Sequence, residues 1–300
     1  MEKQVLQSPP IRALFLDIDG TLVGADEHVS PGVAAALKAA QAQGCHIVLC
    51  TGRTRFRAQP VLESLGEPYG CLVASNGGVA ADVGRGEILY RHLMPIPLAL
   101  EVVRAIVEVG SEPYVFEDSD RPGIEGARVL YHPEKPAGHW ADVPRYRPHA
   151  RIMEELPFEP VSVSAFGPPE RIRPLVEQLQ TRLAGSVSIV RSGSEWNWGI
   201  EIYVPGISKQ VGIEYMARHL GVSREETMAV GDHLNDIEML RWAGIGVAMG
   251  DAMPEVCAAA DYVTSSYRED GVARAVERFV LHPYSSTVLS AHENVGGERP

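Results

Sequence analysis

The stretch Leu14-Phe15-Leu16-Asp17-Ile18-Asp19-Gly20-Thr21 decides the fold. An apolar run that stops abruptly at Asp-x-Asp-Gly-Thr reads as a buried parallel strand delivering two carboxylates to its carboxyl edge, where open α/β sheets place their sites. A second run, Thr227-Met228-Ala229-Val230, ends in the same way at Gly231-Asp232, with Asn235 and Asp236 close behind. Two such strand ends set side by side make an oxygen-only site for a hard cation, which suits Mg²⁺. A lone Asp-x-Asp is as readily a turn or an exposed strand end; the second cluster is what tips the balance.

Outward from this core, strand and helix alternate from Ala13 to about Gly78. Ser30-Pro31-Gly32 sets a capping Ser before a Pro at the first helical position, Val33, Leu37 and Ala40 follow on one face, and Gly44 stops the helix. His46-Ile47-Val48-Leu49-Cys50 is a buried strand running into Thr51-Gly52-Arg53, and Cys71-Leu72-Val73-Ala74 ends at Ser75-Asn76-Gly77-Gly78. The alternation implies right-handed parallel crossovers. From Val79 to Gly199 the texture changes to Pro- and Arg-rich, with strand-like Pro113-Tyr114-Val115-Phe116 and Val161-Ser162-Val163-Ser164-Ala165-Phe166, and helices over about 97–109 and 170–183. An inserted α+β unit with an antiparallel sheet fits it. The parallel pattern is expected to resume at Glu201, with Ser208 capping a helix to about Leu220 and another helix over about 235–243. The predicted fold is therefore α/β: a Rossmann-like parallel core from residues 1–78 and 200–281, an inserted cap over 79–199 and a loose tail over 282–300.

A chain of 300 residues can bury the core this requires, and 45% hydrophobic with 22% charged residues is ordinary for a globular protein. A net charge of −12 argues against broad affinity for nucleic acid or anionic membrane, so an anionic substrate must be drawn by local cations and metal. Cys45, Cys50, Cys71 and Cys257 show no metal-binding or redox spacing and read as reduced thiols. With no signal-peptide stretch at the start and no long apolar window, a soluble cytoplasmic protein is expected.

Several residues carry chemistry by their position. Thr51 follows a strand, so its hydroxyl and the N–H groups of Gly52 and Arg53 can bind anionic oxygens at a helix start, although a plain N-cap reads equally well. Lys209 stands at the first position of a helix, where the dipole disfavours a cation; a neighbouring anion explains it, as does a solvated Lys tolerating a small penalty. Asp236 is either a first-turn acid or part of the site, and Asn76 either a turn residue or a ligand. Trp196 and Trp198 alternate on one strand face and either pack or offer a stacking surface. Arg145-Tyr146-Arg147-Pro148-His149-Ala150-Arg151 is a solvated loop or a source of cations for a second substrate anion.

The set resembles the haloacid dehalogenase superfamily, and within it the Cof-type hydrolases with a large cap between the second and third motifs. Asp17-x-Asp19-Gly20-Thr21 matches the first motif, Thr51-Gly52-Arg53 the second, Lys209 the third, and Gly231-Asp232-x-x-Asn235-Asp236 the fourth, over roughly residues 11–280. Gly250-Asp251-Ala252 and Gln210 depart from the usual Gly-Asn-Ala and Gly. The resemblance implies Asp17 as nucleophile, Asp19 as general acid and base, and Mg²⁺ held by Asp17, the Asp19 carbonyl and Asp232. It further implies that Thr51 and Lys209 hold the phosphoryl oxygens, that Asp236 supports the metal waters or Lys209, and that Asn76 and Asn235 line the phosphate side. The activity implied is hydrolysis of a small phosphorylated metabolite, a sugar phosphate first. Alternatives are a phosphomutase, a dedicated sugar-conjugate phosphatase, or a non-catalytic metabolite-binding module on the same fold.

Overall fold

Ala13–Leu16 forms the first strand, β1, with every residue buried, and its alternate side chains go to two different cores. Leu14 and Leu16 join one apolar cluster; Ala13 and Phe15 join another on the opposite face. A strand covered on both faces has no polar side, which is why it reads as an unbroken apolar run. The computed structural model describes residues 9–25, 27–66, 70–121, 126–134, 145–193 and 198–282.

The first sheet continues with β2 (His46–Cys50), β3 (Cys71–Ala74), β4 (Val79–Asp82) and β5 (Glu87–Arg91). A second sheet follows, from β6 (Pro113–Phe116), β7 (Val129–Tyr131), β8 (Tyr146–Pro148), β9 (Ser162–Gly167), β10 (Ser188–Gly193) and β11 (Trp198–Tyr203). The chain then returns to the first sheet with β12 (Thr227–Gly231), β13 (Ile245–Ala248) and β14 (Tyr262–Val263). The core order is β14-β13-β12-β1-β2-β3-β4-β5. From β1 the chain winds first toward β2 and later, on the other side, toward β12, so the direction of winding reverses beside β1. Leu16 stands opposite both Val230 and Leu49, so the carboxyl ends of β1, β12 and β2 are level. That alignment brings Asp17, Asp232 and Thr51 to one edge, at the crevice where such sheets bind ligands.

The helices α1 (Pro31–Ala42) and α2 (Arg55–Ser64) bury Leu37 and Leu62 on one face of this sheet. Of the helices of the second unit, α3 (Ile96–Glu108) lies between the two sheets in sequence and α4 (Pro169–Arg182) between β9 and β10. On the other face of the core, α5 (Lys209–Leu220) and α6 (Ile237–Trp242) bury Ile213, Met216 and Leu240. Ser30 and Ser208 cap as their positions suggest, accepting from Val33 N at 3.1 Å and from Val211 N at 3.4 Å. The stretch expected to be helical from Asn235 is a 3₁₀ turn, Leu234–Asp236, before α6 begins.

The expected boundaries of the insertion move at both ends. Val79, read as the start of the cap, opens β4, which pairs antiparallel with β3 and with β5 and extends the core sheet to Arg91. Glu201, read as the return to the parallel core, lies in β11, which pairs antiparallel with β9 and β10. A hairpin added to a parallel sheet and a hairpin inside an insertion have the same local pattern, so pairing partners alone separate them. Among the described residues the second sheet, in order β10-β11-β9-β6-β7-β8, has one parallel pair, β7 with β8. One of its faces packs on α3 and α4 through Val115, Val163, Ala165, Ile200 and Ile202. The other faces the carboxyl edge of the core sheet across a cavity. The expected tail lies outside the described residues from 283 onward, as does Trp196. Trp198 packs on the helix side, with the guanidiniums of Arg191 and Arg173 at 4.4 and 4.8 Å from its ring centroid.

Candidate active site

Four separated segments meet at the carboxyl edge of the core sheet. Lys209, on the first turn of α5, is buried and donates from Nζ to Asp17 Oδ1 and to Asp236 Oδ1, each at 2.6 Å. Asp236 is fully engaged, because its Oδ2 accepts from the backbone N–H groups of Asp232 (3.0 Å) and His233 (2.9 Å). Its 3₁₀ turn thus ties the loop after β12 to the ammonium. Asp232 accepts from the Thr21 hydroxyl at 3.1 Å. Gly20 has φ +83°, and a Cβ there would lie 2.3 Å from Asp232 Oδ2, so this turn admits the second carboxylate only with glycine.

Charge makes the cluster incomplete by itself. Asp17, Asp232 and Asp236 each offer an oxygen within 4.8 Å of the others, and one ammonium faces three carboxylates. Burial pushes the Asp17 carboxyl well above its usual value, against the pull of Lys209. Burial, together with the Asp236 charge, pushes Asp232 up to about 6. Burial disfavours the Lys209 ammonium, but Asp17 and Asp236 together outweigh that and hold it charged. With two negative charges uncompensated, a hard divalent cation fits the donor set, and Asp17 and Asp232 are the carboxylates with oxygens to spare for it.

Asp19 points elsewhere. Both its oxygens take the fork of Arg53, at 2.9 Å to Nε and 2.6 Å to Nη2, and its side chain is 61% exposed above the cavity. Thr51 is buried, with its hydroxyl accepting from Arg53 N at 3.0 Å; the cavity wall here is Gly52, Arg53 and Thr54. Asn235 lines the cavity and donates to Asn76 Oδ1 at 2.9 Å. Asn76 lies behind it at φ +52°, donating to Glu201 Oε2 at 2.9 Å and to Tyr203 Oη at 3.2 Å. Tyr203 also donates to Glu201 Oε2. The two asparagines therefore link the core loops to strand β11 of the cap.

The cavity between the sheets measures about 540 Å³ and reaches from Asp17 to Tyr114, Tyr146 and Phe166. Of the basic cap segment, Arg145 lines it. Arg151 does not: it pairs at the surface with Glu154 (2.7 Å) and Glu155 (3.0 Å). Sequence reasoning missed Glu201, Tyr203 and the aromatic cap residues. The strand alternation that places them was visible, but which face would be covered was not.

Among the described residues no helix is long and apolar enough to cross a membrane. The chain matches the family model of the haloacid dehalogenase-like hydrolases over residues 14–276. HMP-PP phosphatase of Serratia proteamaculans is 29% identical over 276 residues, covering 91% of this chain and 97% of the relative. The Bacillus subtilis 5-amino-6-(5-phospho-D-ribitylamino)uracil phosphatase YitU is 28% identical over 270 residues, covering 89% and 96%. A haloacid dehalogenase-like hydrolase from Bacteroides thetaiotaomicron shares the fold with a TM-score of 0.75 at 27% identity, covering 89% of this chain and 99% of that one. The subclass IIB sugar phosphatase BT4131 does so with a TM-score of 0.70 at 29% identity, covering 89% and 98%. The chain belongs to the haloacid dehalogenase-like hydrolases, in the Cof-type group.

Proposed function

We infer that the chain is a phosphatase that hydrolyses the monoester of a small phosphorylated metabolite, with Asp17 as nucleophile. One observation carries this: a buried carboxylate at the sheet edge, fixed by an ammonium at 2.6 Å, opens onto a cavity of metabolite size. Phosphatase-named relatives of nearly equal length support it. The sugar phosphatase neighbour supports a sugar phosphate and YitU a heterocyclic one as the substrate.

The oxygen of Asp17 not held by Lys209 attacks phosphorus, the other keeps a lone pair for the cation beside the Lys209 bond, and the bond from phosphorus to the alcohol oxygen breaks. Asp19 turns out of the Arg53 fork to protonate that oxygen. Water then attacks the aspartyl-phosphate, Asp19 takes its proton, and phosphate leaves with Asp17 regenerated. Lys209 offers fixed positive charge to the transferring group, and Gly52, in the loop that the Arg53 N–H bond to Thr51 orders, supplies an N–H donor. Mg²⁺ held by Asp17 and Asp232, with the Asp19 carbonyl, would neutralise phosphoryl charge. Asp236 keeps Lys209 in place.

The test is Asp17→Asn. The amide keeps the shape and loses the nucleophile, so phosphate release should vanish while the circular dichroism spectrum is unchanged. Wild-type turnover by this variant would reject Asp17 as nucleophile.

A further inference from the structure

A chain of hydrogen bonds crosses from the cap to the core loops beside Asp17, and its polarity is set at one residue. Alternation along β11 sends Ile200 and Ile202 to the helices and Glu201 and Tyr203 to the cavity side. Tyr203 spends its hydroxyl proton on Glu201 Oε2, so both groups meet Asn76 as acceptors. Asn76 therefore turns its amide nitrogen toward β11, and its oxygen is left for Asn235 Nδ2 at 2.9 Å. Asn235 Oδ1 takes the His233 ring. One Asn235 N–H remains, on a residue that lines the cavity.

The backbone under Asn76 is fixed. Ser75 and Asn76 have φ of +51° and +52°, and at Gly77 a Cβ would lie 2.2 Å from Ser208 O. Asn76 N donates to Thr51 O at 3.0 Å, and Ser75 N to Arg53 O at 2.9 Å. The turn is thus tied to the loop that carries Gly52 and to the start of α5 that carries Lys209, which leaves the Asn76 side chain as the part that can rotate. An amide keeps its shape when oxygen and nitrogen change places, so the donors and acceptors around it decide which way it faces. With an apolar side chain in place of Glu201, the Tyr203 hydroxyl is released to donate to Asn76. The amide can then turn over, and the donor that Asn235 offers the cavity is no longer fixed.

We propose that Glu201 of the cap is a positioning residue for phosphoryl transfer: through Asn76 it sets the amide of Asn235 so that the remaining N–H meets a phosphoryl oxygen. This deepens the phosphatase reading and rests on it. It takes Asn76, buried behind Asn235, out of the set that touches substrate. It also makes a cap strand part of the phosphate site whatever the leaving group.

The experiment pairs anion binding with turnover on wild type, Glu201→Leu, Glu201→Gln and Asn76→Gly. The Asn235 side-chain amide is followed in proton–nitrogen correlation NMR spectra, its signals identified by their loss in Asn235→Asp, while inorganic phosphate is added in the presence of Mg²⁺. Phosphate release is measured from phenyl phosphate and from a hexose phosphate. In wild type, phosphate should shift the Asn235 amide. Glu201→Leu should weaken phosphate binding by roughly tenfold or more and lower kcat/KM by a similar factor for both esters. Glu201→Gln, whose oxygen accepts as the carboxylate does, should recover most of that loss. Asn76→Gly, which suits a positive φ, should reproduce the loss with the cap unaltered, and it decides the matter if Glu201→Leu does not fold. Wild-type phosphate affinity in the folded Glu201→Leu or Asn76→Gly protein, a loss confined to the hexose ester, or a Gln variant as impaired as the Leu variant overturns the proposal. Release of phosphate from neither ester by wild type means the phosphatase reading has failed. In that case the titration decides the relay: an affinity lost in Glu201→Leu and recovered in Glu201→Gln supports it, and equal affinities or an Asn235 amide that phosphate does not shift refute it.

Discussion

Lys209 shows how little freedom one side chain has here, since its ammonium is shared between Asp17 and Asp236 and both partners are buried. If that charge serves the transferring group, Lys209→Ala should lower kcat/KM by about 2–4 kcal/mol, alike for a minimal aryl phosphate and a bulky metabolite. A loss confined to the bulky substrate would assign Lys209 to recognition instead. Glu201 makes a different case. Burial raises its carboxyl, so the native state holds its proton more tightly than the unfolded chain does. Its stabilising contribution is therefore present below the unfolded carboxyl value, near 4.3, and is lost as pH rises through the raised one. Glu201→Gln keeps the acceptor for Asn76 and removes the titration. Urea midpoints measured from pH 4 upward should fall less steeply for the variant, and parallel curves would contradict the assignment.

At the scale of elements, β1 and β12 were legible because burial on both faces leaves a run with no polar side, and their ends named Asp17, Asp19, Asp232 and Asp236 without any tertiary knowledge. Ser208 was legible as a cap, whereas helix-start chemistry left Lys209 open between a neighbouring anion and a solvated side chain, and its contacts with Asp17 and Asp236 came only with the fold. The β4 and β5 hairpin and β11 were placed in the wrong unit, because an antiparallel pair carries no local mark of the sheet it joins. Cap specificity was hidden for a related reason: β9 alternates Ser and Phe with Val and Ala, and the pattern tells two faces apart without saying which one meets helices. The structure makes that assignment testable. Ile200→Ala, on the helix-packed face of β11 and fully buried, should cost about 2–4 kcal/mol of stability. Ser192→Ala, on the cavity side of β10, should stay within about 0.5 kcal/mol. Equal effects in chemical denaturation would deny the sheet its two-sided character.

For the whole molecule, the uncompensated charge at the sheet edge couples metal binding to stability. Magnesium at a hundredfold excess over its dissociation constant should stabilise the fold by about 2.7 kcal/mol. Calorimetric scans with chelator and with Mg²⁺ check this, and phosphate release should disappear and return in step. Identical melting in the two conditions would reject the Asp17 and Asp232 site.

The pairing of β1 with both β2 and β12 also bears on how the protein is made. A ribosome delivers Thr227–Gly231 some 200 residues after Ala13–Leu16; Asp17 and Lys209, already in contact in the finished fold, are 192 positions apart. At about 5–20 residues per second, the first strand waits roughly 10–40 s with one edge unpartnered. The second sheet needs no such partner and is complete once β11 has emerged. Nascent chains halted before residue 227 should therefore protect the cap from protease while leaving the amino-terminal strands open to cleavage and to chaperones.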